Sequence, residues 1–223
     1  MMNISGKAAG TALLFGMIAS STVLADGPAA YHVTITNLTS AISFTPILVA
    51  SHRRSVPTFE LGAPASPEMT AVAEAGDTSL LAATLGENPR VVDLQNSSGL
   101  LMPGASVSVI VRATRGADRV SLAAMMLPTN DGFIALGSVG APAQGSVTYF
   151  SPGYDAGTEP NDEWCMNIPG PTCGGAGSSP GENPGDEGYV HIHRGIHGVG
   201  ELSPSVYDWR NPVAKITVTR IRH

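Results

Sequence analysis

Apolar residues recur at every second position in several segments, the pattern of a half-buried strand. In residues 31–38, Tyr31, Val33 and Ile35 point one way and His32, Thr34 and Thr36 the other. Residues 105–113 set Val107, Val109 and Val111 on one face, and residues 212–221 do the same with Ala214, Ile216 and Val218. Residues 119–127 are apolar almost throughout, which predicts a strand covered on both faces. Residues 42–50 form a further apolar run, whose Pro46 predicts an edge or a bulge. Shorter strands are expected over 132–139, 145–150 and 188–193, with turns such as Met102-Pro103-Gly104 between them. Many short strands separated by Gly and Pro read as an antiparallel sandwich.

One connection reads as helical. Ser66 is a good N-cap, Pro67 suits the first helical position, Glu68 suits the positive end of the dipole, and Gly76 can close the helix. Asp77 can cap a second short helix over 78–85 that ends at Gly86. Residues 168–188, rich in Gly, Pro and Ser, are expected to form a long surface loop. No repeat and no second domain is visible.

The first residues read differently from the rest. Lys7, a short apolar run over 10–20 and the small residues of Val23-Leu24-Ala25 predict a secretory signal over residues 1–25, cut after Ala25. The run is too short for a membrane span. One domain over 26–223 would remain, exported to a periplasm or outside the cell, with no transmembrane segment. The chain carries a net charge of −6 at pH 7, and loss of Lys7 makes it more negative. An acidic chain lacks the basic surface that phosphate contacts need, so nucleic acid is not an expected partner. The two cysteines, Cys165 and Cys173, are expected to form a disulfide in an exported chain. Closing a loop of about nine residues constrains the unfolded chain by roughly 2.6 kcal/mol.

Acids cluster in two places: Asp131 in a turn after an apolar strand, and Asp155, Glu159, Asp162 and Glu163 in a second short stretch. Loop carboxylates supply the hard oxygens that Ca²⁺ takes, six to eight at a time, and a divalent ion relieves their mutual repulsion. The spacing is not that of an EF-hand, so ligands would come from separate loops at one end of the sandwich. Solvated loop acids are the plainer alternative.

The segments SLAAMMLPTNDGFIAL (121–136), SPGYDAGTE (151–159) and RNPVAKITVTRI (210–221) resemble, in this order, the spondin N-terminal domain family. The stretch HIHRGIHG (191–198) and the element YDWRNPVA (207–214) are similar to its stand-alone bacterial members. The resemblance implies an all-β, C2-like antiparallel β-sandwich with a Ca²⁺ ion held by loops at one end. Its acidic positions fall on Asp131, Asp155 and Glu159. The animal domain has Asp at the last of these, so Glu159 is a departure by one methylene. Asp162 and Glu163 match no role and are spare ligands.

The histidines lie outside the animal domain's pattern. Three of the six fall at His191, His193 and His197. On a strand, His191 and His193 would share one face, with Val190 and Ile192 on the other. A third imidazole from His197, His52 or His32 would complete a copper or zinc site. The alternatives are histidines bonded to backbone or acids, or a contribution of Glu187, Asp186 or a main-chain oxygen to the Ca²⁺ shell, with Arg194 as counter-charge. Asp208 and Arg210 are expected to pair, Trp209 to plug the sandwich end and Trp164 to pack on the disulfide. No nucleophile elbow, H-E-x-x-H or phosphate-binding loop is present, so a non-enzymatic protein is expected.

Three functions follow as expectations. The first is an exported Ca²⁺-binding module for adhesion to an unknown protein or surface ligand. The second is a periplasmic or surface protein binding Cu or Zn through the histidines. The third is a self-associating subunit of an extracellular assembly.

Overall fold

The computed structural model describes residues 1–2, 29–114, 116–177 and 185–222. The expected cleavage after Ala25 and most of the signal segment lie outside the described residues. Eleven strands are present among the described residues: β1 (Ala29–Asn37), β2 (Ser43–Phe44), β3 (Leu48–His52), β4 (Val91–Asn96), β5 (Ser106–Arg112), β6 (Arg119–Leu127), β7 (Gly132–Gly140), β8 (Ser146–Ser151), β9 (Tyr154–Asp155), β10 (His191–Ile192) and β11 (Ala214–Arg222). Between β3 and β4 run helices α1 (Pro67–Ala75) and α2 (Ser79–Gly86), and a one-turn helix α3 (Pro204–Tyr207) precedes β11.

All strand pairs are antiparallel and fall into two sheets. One has the order β5-β1-β11-β8. The other runs β10-β9-β7-β6-β3-β4, with β2 also paired to β6. The chain is therefore an all-β sandwich with short helices in one connection.

The alternation places the core. Tyr31, Val33 and Ile35 of β1, Val109 and Val111 of β5, and Ile216 and Val218 of β11 meet Val49, Val120, Leu122, Ala124, Met126 and Ile134 of the opposite sheet. Each such side chain contributes roughly 1.5–3 kcal/mol by leaving water. The outer face of the smaller sheet is polar, with hydroxyl pairs Thr34–Ser108, Thr36–Ser106, Ser146–Thr219 and Thr148–Thr217 across its strands.

The apolar continuity of β6 has a direct cause. Its even-numbered residues face the other sheet, and Ala123 faces a second core with Leu48, Ala50, Phe133 and Ala135. Met69 and Val72 of α1 and Leu81 and Leu85 of α2 cover that core. The caps of α1 are as expected, whereas the N-cap position of α2 falls on Thr78 and Asp77 bonds from one residue before it. The Met69 N–H donates to Ser66 Oγ at 3.4 Å, Gly76 is left-handed at φ 66°, and the Ser79 N–H donates to Asp77 Oδ1 at 2.8 Å.

Pro46 marks a break, not an edge. The run 42–50 divides into β2 and β3 around residues 45–47, and β3 lies inside its sheet between β6 and β4. Thr45 bridges the break, with its hydroxyl accepting from the Met125 N–H at 3.0 Å. The strand expected over 188–193 shortens to β10, because only two residues pair with β9 and left-handed Gly188 and Gly195 turn the chain on either side. Val190 is buried while Ile192 is 46 % exposed, so the two do not share a buried face. Cys165 and Cys173 are disulfide-bonded. Trp209 is buried against the core, but Trp164 stands exposed. No helix among the described residues is long and apolar enough to cross a membrane.

Candidate metal centre

Sheet register assembles the centre. Asp155 pairs with Gly132 on one side and with His191 on the other, so β7, β9 and β10 set the residue after Asp131, then Asp155, then His191 in one row. Directly opposed residues of antiparallel strands put their side chains on the same face. Asp155 and His191 therefore meet, with His191 Nε2 at 3.6 Å from Asp155 Oδ1.

Asp131 sits in the turn between β6 and β7 and is fully buried. Its Oδ2 accepts the backbone N–H groups of Thr158 and Glu159 at 2.7 and 3.1 Å. Its Oδ1 is buried without a hydrogen-bond partner among the described residues. Asp155 is buried too; its Oδ1 accepts the Gly157 N–H and its Oδ2 the Asn161 amide, both at 2.8 Å. The turn after Asp155 requires glycine at 157, where φ is +66° and a Cβ would meet the Tyr189 backbone. Glu159 is 3 % exposed. Burial raises the Asp131 carboxyl well above its ordinary value, and the charges of Asp155 and Glu159 push it further. Burial likewise raises Asp155. The three acids of the Ca²⁺ expectation are thus all buried, and Asp131 feels the repulsion of the other two. The acids and histidines whose ligand atoms converge within 4.8 Å among the described residues are instead Asp155, Glu187 and His191.

The two nearer histidines both face this group with Nε2, but as different tautomers. His191 places Nδ1 at 3.0 Å from the Ile192 carbonyl, which can only accept, so Nδ1 carries the proton and Nε2 keeps its lone pair. That lone pair points between Asp155 and Glu187, whose Oε2 lies 3.9 Å away. His193 is wired the other way. Its Nδ1 accepts the Gly195 N–H at 3.0 Å, so Nε2 carries the proton and faces Asp155 Oδ2 at 3.9 Å. Burial, reinforced by the charge of Arg194, holds His193 at about 3, so the ring is neutral. It supports the Asp155 charge with an N–H and packs on Trp209, with ring centroids 4.9 Å apart.

Two expected histidine ligands fall elsewhere. His52 pairs with Arg119, which pairs with Gly140, at the far end of β7 from Gly132. That is roughly 25 Å away at the ordinary strand rise. There Nδ1 bonds the Arg54 carbonyl and Nε2 the Ser121 hydroxyl, at 2.8 and 2.9 Å. His197 is exposed and turned outward, its Nε2 bonded to the Arg194 carbonyl at 3.2 Å. The cause is Glu163, whose carboxylate accepts the N–H groups of His197, Gly198 and Val199 and pins the turn. Glu163 is therefore spent on that loop. Asp162 is also engaged, accepting from Asn130, Trp164 and Asn167.

Asn161 is the residue that sequence reasoning missed. Its side-chain amide donates to Asp155 Oδ2 and to Glu187 Oε1, at 2.8 and 3.3 Å, and clamps both carboxylates. It stands two residues after Glu159, but no motif marks its role. Beside the centre a groove of about 480 Å³ opens between His193, Ile196, His197, Pro204, Trp209 and Arg210. Asp208 pairs with Arg210 along its wall.

The Spondin_N family model matches residues 30–159. The matched span includes Asp131, Asp155 and Glu159 and ends before Glu187 and His191. No curated protein matches the chain.

Proposed function

Because the chain belongs to the spondin N-terminal domain family, we propose that it is an exported, non-catalytic binding module whose loop end is fixed by one Ca²⁺ ion. Asp131, Asp155 and Glu159 would hold the ion, with main-chain oxygens or water completing its shell. The observation that carries this reading is Asp131 Oδ1: a buried carboxylate oxygen without a hydrogen-bond partner among the described residues, beside two further carboxylates. A buried charge left in that state is costly, and a hard divalent cation removes both the desolvation and the repulsion. The disulfide fits an oxidising compartment.

The ion would act on shape. Asp131 binds the backbone of residues 158 and 159, and Asp155 binds that of 157, so neutralising the acids rigidifies the 155–161 loop. That loop and the groove along Trp209 would present a fixed surface to a protein or surface ligand, the adhesion-type role that the family supports. Calorimetric titration of metal-free protein tests the reading. One Ca²⁺ per chain and a raised melting temperature are expected. Absence of both in the wild type, or their survival in Asp131→Asn, overturns it.

A further inference from the structure

We infer that a second metal site lies beside the first, built from Asp155, Glu187 and His191 and suited to a divalent transition ion of the Zn²⁺ class. One ligand atom from each residue lies within 4.8 Å of the other two. Glu187 Oε2 and His191 Nε2 are buried and have no hydrogen-bond partner among the described residues. The nearest separations, 3.6 Å to Asp155 Oδ1 and 3.9 Å to Glu187 Oε2 from His191 Nε2, are close to what one ion requires. A tetrahedral ion with bonds of about 2.0–2.1 Å holds its ligands roughly 3.3 Å apart, so the two histidine separations need to close by about 0.3 and about 0.6 Å.

The surroundings fix each ligand in a binding state. The Ile192 carbonyl holds the His191 proton on Nδ1 and leaves Nε2 as a lone-pair donor. Asn161 takes the other oxygen of Glu187 and one of Asp155. The buried Nε2–H of His193 is aimed at Asp155 Oδ2 and lacks a partner of its own. Such outer contacts orient a first set of ligands and sharpen their affinity. Two carboxylates and a neutral imidazole balance one divalent charge. The imidazole selects against Ca²⁺, which takes oxygen, and for borderline ions. Glu187 and His191 keep side-chain exposures of 28 % and 22 %, which gives an entry path and room for a water ligand. This set replaces the all-histidine one expected from sequence: His191 stays, His193 supports, and Glu187 and Asp155 take the places of His197 and His52.

Asp155 belongs to both proposed sites, so the test uses residues that do not. Untagged protein is titrated with Zn²⁺ in saturating Ca²⁺, alongside His191→Ala, Glu187→Gln and Asp131→Asn, each checked for native circular dichroism. One Zn²⁺ per chain is expected in the wild type and in Asp131→Asn, with affinity lowered at least tenfold in each of the other two. Co²⁺ should give a visible d–d absorption in the wild type that His191→Ala abolishes. No stoichiometric Zn²⁺ in the wild type overturns the inference, as does unchanged affinity in both His191→Ala and Glu187→Gln. Stoichiometric displacement of Zn²⁺ by Ca²⁺ also overturns it, because the two ions would then share one site. Loss of Ca²⁺ binding alone, with Zn²⁺ retained, would sink the Ca²⁺ reading and leave this one standing.

Discussion

His52 and His193 are both buried histidines at opposite ends of the larger sheet, and their surroundings are completed in opposite ways. Around His52, both ring nitrogens are bonded. Its partner Ser121 also accepts the Ser138 N–H, and Ser138 exchanges hydrogen bonds with the Val56 backbone. Around His193, the buried atoms Asp131 Oδ1, Glu187 Oε2, His191 Nε2 and His193 Nε2 have no hydrogen-bond partner among the described residues. Native interiors pair almost all buried polar atoms, so a group of exceptions calls for a cause. The closed end is completed by polypeptide alone; the open end leaves the ligand atoms that the two proposed ions would take up.

The largest effect should come from breaking the closed end. His52→Ala leaves the Arg54 carbonyl without its ring donor and opens a cavity, at a cost of about 3 kcal/mol. Thermal melting should show a drop of roughly 6–12 °C for a chain of this size. Ion titrations should be unchanged. A Tm within a degree of the wild type would show that the network contributes nothing.

The open end should respond to ligand instead. Ca²⁺ at about a hundred times its dissociation constant should add ~2.7 kcal/mol, or roughly 5–11 °C in Tm. Hydrogen exchange locates the gain: amides of 155–161 should become protected, and those of 52–56 should not change. Equal protection at both ends would erase the distinction between them.

A smaller effect with the unusual sign is expected from Asp131→Asn without metal. The amide keeps an oxygen for the N–H groups of Thr158 and Glu159, removes the charge, and offers a donor to the neighbouring carboxylates. Metal-free Asp131→Asn should be more stable than the wild type by about 1 kcal/mol in denaturant melts. With Ca²⁺ present the order should reverse. Destabilisation in both conditions would mean that the open end is held by its own contacts.

The parts of this comparison were unequally legible in the sequence. Strands β1, β5, β6 and β11 were readable because burial follows residue spacing within one segment. The doubly covered β6 was visible as an unbroken apolar run. Asp131, Asp155 and Glu159 were reachable through a local motif and family resemblance. The histidines were misgrouped because spacing cannot say which nitrogen is committed: the carbonyl of Ile192 and the N–H of Gly195 decide that, and both depend on how the chain turns at Gly195. Likewise His52 shares a residue type with His193 but sits at the other end of the sheet, a fact held in the register with Arg119. Asn161 carries no recognisable motif, and its role appears only once Asp155 and Glu187 are side by side.

The smallest effect, and the finest test of the comparison, is the pH dependence of the two ends. Burial lowers the His52 pKa below 6.5. Its stabilising contribution is therefore present above the unfolded value of about 6.5 and is lost as pH falls toward the folded value. Between pH 7.5 and 6.0 the loss from one such group reaches about 0.8 kcal/mol. His193, lowered to about 3, acts with the same sign, so His52→Gln should remove only a share of the slope. Asp131 acts with the opposite sign. Its pKa is raised, so its contribution is complete below about 3.8 and is lost as pH rises through the folded value. Without metal, acid therefore weakens the closed end through His52, while at the open end the relief of Asp131 opposes the loss from His193. Ca²⁺ requires the ionised carboxylates, so protons compete with it, and its stabilisation should shrink as pH falls. Melting curves from pH 7.5 to 5.0, with and without Ca²⁺, separate these effects. His52→Gln should flatten the slope in both conditions, whereas Asp131→Asn should remove only the part that Ca²⁺ changes. An unaltered slope in His52→Gln would mean that the closed end does not titrate, and the contrast would then rest on the open end alone.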